Sequence, residues 1–206
     1  MIEFLSALLL WLSVFIPSST MASLAARRDP KKAGYVMQLA ILLLSIGLMS
    51  LMGGPETFNL FRGWNHIPQA FILGFGTSLV LNLIHEDADV PEFLPEGIGR
   101  FALLLLLAPL GEEVLNRGLV EGYLLSYGHF WSAVFFSAFL FALPHWMAFK
   151  GSRSERALAV IGAFILGSFA GYLFALTGLV QAFVLHSSAN LAGVVLLHFR
   201  ETPRYK

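Results

Sequence analysis

Seven stretches of this 206-residue chain are apolar over the length that carries a helix across a bilayer, about 20 residues. They fall at approximately 4–24, 35–53, 67–85, 99–125, 130–149, 156–176 and 179–199. Backbone N–H and C=O groups inside lipid have to be satisfied within their own segment, so such runs read as helices. The predicted fold is all-α, a polytopic transmembrane bundle of about seven spans. Gly128 separates the fourth and fifth spans, and Thr177-Gly178 the last two, which predicts tight helical hairpins. No linker rich in Pro, Gly or Ser is long enough to divide the chain and no internal repeat is visible, so one domain is expected.

Composition agrees. The chain is 57% hydrophobic and 13% charged, with mean hydropathy +0.73; a soluble domain carries roughly a quarter charged residues. A formal net charge of zero argues against a nucleic-acid partner, because phosphate binding needs a basic surface. Without cysteine there are no disulfides and no thiolate metal sites. Phe4 to Ile16, followed by Thr20-Met21-Ala22, has the outline of a signal peptide. Glu3 precedes it with no lysine or arginine, whereas signal peptides start basic, so a retained first helix is expected.

Lysine and arginine in the loops set orientation. Arg27, Arg28, Lys31 and Lys32 fall in the first loop, Lys150, Arg153 and Arg156 in the fifth, and Arg200, Arg204 and Lys206 in the tail. The alternate loops hold almost none, Arg62 being the exception. This parity predicts an N-terminus outside and a C-terminus in the cytoplasm. The third loop, from His85-Glu86-Asp87-Ala88-Asp89 through Pro91, Pro95 and Glu96, is acidic. Its prolines and even spread predict a solvated connector rather than a cation site.

Three polar clusters interrupt the apolar spans. The fourth span carries Glu112-Glu113-Val114-Leu115-Asn116-Arg117, and charges held at membrane depth usually face a protein interior or a wet cavity. Residues four apart share a helix face, so Arg117 can pair with Glu113 and with Glu121. Glu112 lies about 100° round the helix, and its own four-apart neighbour is the uncharged Asn116. Glu113 is thereby neutralised while Glu112 stays free to exchange a proton, as a general base must. Glu113 and Arg117 taken alone fit a helix-locking ion pair equally well. The fifth span supplies His145 beside Pro144, a residue that permits a kink. The last supplies His186 and Asn190, four apart, with small residues between them that allow close helix approach. Both can donate hydrogen bonds toward one point, as an oxyanion requires, and both also suit interhelical polar contacts. On the predicted spans His145 lies near the inner end of its helix and His186 nearer the outer end of its own.

In their order, Glu112-Glu113-x-x-x-Arg117, Phe141-x-x-x-His145 and His186-x-x-x-Asn190 resemble the three motifs of the CPBP family of intramembrane proteases. That family includes type II CAAX prenyl endopeptidases and the bacteriocin-processing and immunity (Abi) proteins. The resemblance covers about residues 99–199, a catalytic core within the single membrane domain; residues 1–98, the N-terminal helices and loops, match only in being hydrophobic. It implies an intramembrane endopeptidase in which Glu112, with His145 as partner, activates a water. His186 and Asn190 would stabilise the oxyanion, and Glu113 and Arg117 would hold the helix and the charge balance. The family has also been described as metal-dependent, and zinc on Glu112, His145 and His186 would keep an open position for water. The motifs lack His-Glu-x-x-His, so the metal-free form, with no cofactor, is expected.

The span count is smaller than that of eukaryotic prenyl-processing members. The expected partners are therefore membrane lipid and a membrane-associated protein or peptide substrate, in a bacterial cell membrane, rather than a prenylated CAAX protein. Two other functions compete: a non-catalytic bacteriocin immunity or scaffold protein, and an ion or proton pathway. The pathway is disfavoured because spans one and two hold no ionisable residue beyond their ends.

Overall fold

The computed structural model describes the chain except Asn59, residues 85–94, Glu96, residues 149–150 and residues 202–206. The side chains of 83–84 and 197–201 lie outside the description as well. The acidic third loop, apart from Pro95, therefore lies outside the described residues, as do Lys150, Arg204 and Lys206.

Seven helices stand where the apolar runs place them. Helix α1 is Ile2–Ala26, with Pro17 inside it, and α2 is Pro30–Leu51. The second begins five residues before the predicted span because Asp29 caps it. The Asp29 carboxylate accepts from the Lys31 N–H at 3.1 Å and Pro30 takes the first turn, where its missing N–H costs nothing. A one-turn 3-10 helix, Pro55–Phe58, precedes α3, Ile67–Ile84. Helix α4 runs continuously over 98–126 and changes hydrogen-bond register twice, becoming π-helical at Ala102–Leu107 and again at Val114–Glu121.

Helix α5 is Phe130–Ala142; after Leu143-Pro144 a single turn, His145–Ala148, continues the run. The sequence predicts one span over 130–149 with a kink at Pro144. Pro144 replaces it by a break, since proline cannot supply the N–H that would continue the ladder. Helix α6, Arg153–Thr177, starts from a capping box between Ser152 and Glu155. Gly178, at φ +98°, turns the chain into α7, Leu179–Glu201.

Five spans are long and apolar enough to cross a membrane, α1, α2, α6, α7 and the run Phe130–Ala148 that joins α5 to the turn after Pro144, and α3 is a shorter apolar helix over Ile67–Asn82. The fold is an all-α membrane bundle. Helix α1 packs on α2, α3 on α7 and α5 on α6, while α4 touches α1, α2, α5, α6 and α7. At the α3–α7 contact a Cβ on Gly74 would run into the Leu185 carbonyl, so only glycine permits that approach. Ser78 Oγ donates to the Ala189 carbonyl at 2.7 Å across the same contact.

Residues 60–66 strap the α6–α7 turn. Leu179 N donates to Leu60 O at 2.8 Å, and Gln181 Nε2 donates to the carbonyls of Gly63 and Asn65 at 3.0 and 2.6 Å. Arg62, the cation that departs from the loop-charge pattern, donates to Ala175 O at 2.6 Å. It satisfies a carbonyl of the last turn of α6, where a helix welcomes positive charge. At the centre of the bundle every residue of Val114–Glu121 is buried.

Candidate active site

The second π-helical stretch of α4 carries the charge. Arg117, fully buried, donates from Nε to Glu113 Oε2 at 3.0 Å and from Nη1 to Glu121 Oε2 at 3.3 Å. Both pairs are the four-apart contacts read from the sequence. Ser137 on α5 closes the group: its Oγ accepts from Arg117 Nη1 and donates to Glu121 Oε2 at 2.8 Å. One hydroxyl thus ties two helices to one ion cluster. A guanidinium fork suits this sharing because its donors are fixed in a plane.

The two adjacent glutamates have different surroundings. Glu113 is 1% exposed and holds Arg117 on one oxygen and His186 Nδ1, at 2.8 Å, on the other. Glu112 keeps 24% of its side-chain exposure and faces the opposite edge of the same ring, with His186 Nε2 at 3.8 Å from its Oε2. Its Oε1 accepts from Gln38 Nε2 on α2 at 2.7 Å. Asn116, the neutral four-apart neighbour, donates to the backbone carbonyl of Glu112 at 2.8 Å and accepts from Trp11 Nε1 of α1 at 3.2 Å. His186 therefore stands between the two carboxylates.

The first π-helical stretch fixes α7. Pro109 brings no N–H to the turn that follows it, so carbonyls one turn earlier lack that donor. Ser187 Oγ donates to Leu105 O and Asn190 Nδ2 to Leu104 O, each at 2.8 Å. Side chains from a neighbouring helix commonly repair such gaps in membranes. These two bonds set the rotation of α7 that turns His186 toward α4.

Residues 95–192 match the family of type II CAAX prenyl endopeptidase Rce1-like proteins. The chain carries an Rce1-like segment. It contains all three motifs, and the match implies CAAX-type intramembrane protease activity in an integral membrane protein. No curated protein and no solved structure matches the chain.

Within the Rce1-like segment, Glu113, His145, His186 and Asn190 all line one cavity of about 210 Å³, bounded also by α3 and α6. The Pro144 break places His145 at the start of its own turn, with Nδ1 at 3.1 Å from Phe141 O. The two histidines, at opposite ends of their predicted spans, meet across the Phe141 ring. Its centroid is 5.1 Å from His145 and 5.3 Å from His186, and the Arg117 guanidinium lies over it at 5.5 Å. The resemblance pairs Glu112 with His145; the structure sets His186 beside it.

Among the described residues, no group of three or more His, Asp or Glu side chains is gathered to hold a metal ion. Glu112, His145 and His186 are not gathered into such a group in this arrangement. Sequence reasoning missed Gln38, Ser137 and the hub role of Phe141. Gln38 and Ser137 are lone polar residues in apolar runs, and only that isolation signals them. Phe141 was visible as a motif member without a contact to give it a role.

Proposed function

We propose that the protein is an intramembrane endopeptidase that hydrolyses peptide bonds of membrane-associated proteins or peptides with a water activated by Glu112. The observation that carries this reading is His186 held between Glu113 and Glu112, at 2.8 and 3.8 Å. With Arg117 paired to Glu113, a neutral His186 ring that donates its Nδ1–H to Glu113 offers its other nitrogen as an acceptor. That acceptor faces a carboxylate oxygen. Two acceptors at this separation, too far for a direct bond, suit a bridging water that donates one proton to each.

Glu112 is not in the cavity lining, so such a water meets a scissile carbonyl in the cavity from the side of His186, which is. As it attacks, the carbonyl π pair moves to oxygen and one water proton passes to Glu112. Glu112 then returns the proton to the leaving amine nitrogen as the C–N bond breaks. His145 and Asn190, in the cavity wall, are the donors for the oxyanion; Asn190 carries a second N–H besides the one given to Leu104. Glu113 and Arg117 orient His186. The substrate is a bacterial membrane protein or peptide, with the N-terminus of the enzyme outside and its C-terminus in the cytoplasm.

The test is Glu112→Gln, which keeps the shape and removes the base. Cleavage of a vesicle-anchored fluorogenic peptide is expected to fall about 100- to 10,000-fold, with insertion and thermal unfolding unchanged. Cleavage at the wild-type rate would exclude Glu112 as the base.

A further inference from the structure

We propose that the site is completed from outside the Rce1-like segment: Gln38 of α2 is a positioning residue that holds one oxygen of Glu112 and leaves the other for His186. The proposal rests on Glu112 being the base. Gln38 Nε2 donates to Glu112 Oε1 at 2.7 Å, and Glu112 Oε2 is the oxygen that faces His186 Nε2. A carboxylate is otherwise free to spin about its last bond and exchange its two oxygens. One fixed donor removes that freedom and aims the second oxygen.

The contact is built to be close. Helix α2 approaches α4 at Gly111, where a Cβ would lie 2.9 Å from both the Gln38 carbonyl and its side-chain Oε1. Gln38 is 8% exposed, and its Oε1 has no partner among the described residues. A lone amide half-paired inside an apolar helix is costly, so helix packing alone does not explain a glutamine there. Helix α1 contributes to the same clamp, since Trp11 holds Asn116 and Asn116 holds the Glu112 backbone. Helices α1 and α2 lie outside residues 95–192, yet they fix both ends of the residue that does the chemistry.

Gln38→Met, near in volume and without a donor, separates positioning from packing. With the vesicle-anchored fluorogenic peptide, kcat is expected to fall about 10- to 100-fold, the usual effect of losing an outer-shell partner. KM and the unfolding temperature should stay within twofold and about two degrees of wild type. A second readout needs no substrate: the infrared carboxylate band that disappears in Glu112→Gln should shift in Gln38→Met. In the Glu112→Gln background, Gln38→Met should have no further effect on residual cleavage.

An unmoved band, an unchanged kcat, or a kcat loss that tracks a lower unfolding temperature would each overturn the proposal. If Met at 38 blocks insertion, Gln38→Asn, which withdraws the amide by one methylene, is read by the same criteria. The two levels fail differently. Wild-type cleavage by Glu112→Gln sinks the base itself, whereas a dead Glu112→Gln with a neutral Gln38→Met sinks only the positioning role.

Discussion

The two π-helical stretches of α4 solve the same problem in opposite ways. Ala102–Leu107 is wholly aliphatic, and carbonyls in it are met from outside by Ser187 and Asn190 of α7. Val114–Glu121 is buried throughout and brings most of its own polar partners: Arg117 links Glu121 to Glu113 just before it, while Ser137 reaches in from α5 and Trp11 from α1. A π turn closes its hydrogen bond one residue further along than an α turn and is frequent at functional sites. Here the first one fixes the pose of a neighbouring helix, and the second concentrates charge. The difference teaches that irregular backbone in a bilayer can be used to orient or to hold charge, depending on which side supplies the hydrogen bonds.

The strongest way to break the contrast is Arg117→Met. It strands Glu113 and Glu121 in the core, and removing one partner of a buried pair costs about 3–5 kcal/mol. Unfolding in detergent should report that loss, along with poor expression. A stable, fully active Arg117→Met would show the second stretch to be as dependent on its neighbours as the first. Asn190→Ala comes next. Interhelical hydrogen bonds in membranes average about 0.6 kcal/mol and reach about 1.7, so a small drop in stability is expected, with a larger fractional loss of cleavage if Asn190 also serves the oxyanion. A stability loss with full cleavage would confine Asn190 to holding α7.

The smallest effect sharpens the account of Pro109. Pro109→Ala returns an N–H to the turn, so Ser187→Ala should cost a few tenths of a kcal/mol less in that background than alone, a double-mutant coupling. Additive losses would mean that Pro109 is not what leaves those carbonyls in need of a donor.

Much of this was legible in the chain. Long apolar runs located all seven helices, and the four-apart spacing of Glu113, Arg117 and Glu121 described the ion ladder as it stands. The distinct surroundings of Glu112 followed from the same spacing. Helix α2 began earlier than its apolar run because a cap, not hydropathy, starts a helix. The π registers were invisible: in a segment such as Ala102–Leu107, apolar on every side, no periodicity records whether the ladder runs four or five residues back. Pro144 was read as a kink and is a break. Gln38 and Ser137 were unreadable because their roles depend on which helix lies opposite, and no spacing within one run encodes a partner in another. His186 appeared as one of two oxyanion donors; its place between the glutamates required the rotation of α7.

The Phe141 ring borders the histidine-lined hollow and carries the Arg117 guanidinium over it, so it shields the cation of the ion cluster while Glu113 stays open to the cavity. Water has to enter that hollow for hydrolysis, yet an ion pair keeps its strength only where solvent stays out. A smaller side chain at 141 would do more than leave a void: it would let the same water reach Arg117, and the charge that anchors Glu113 would lose its grip.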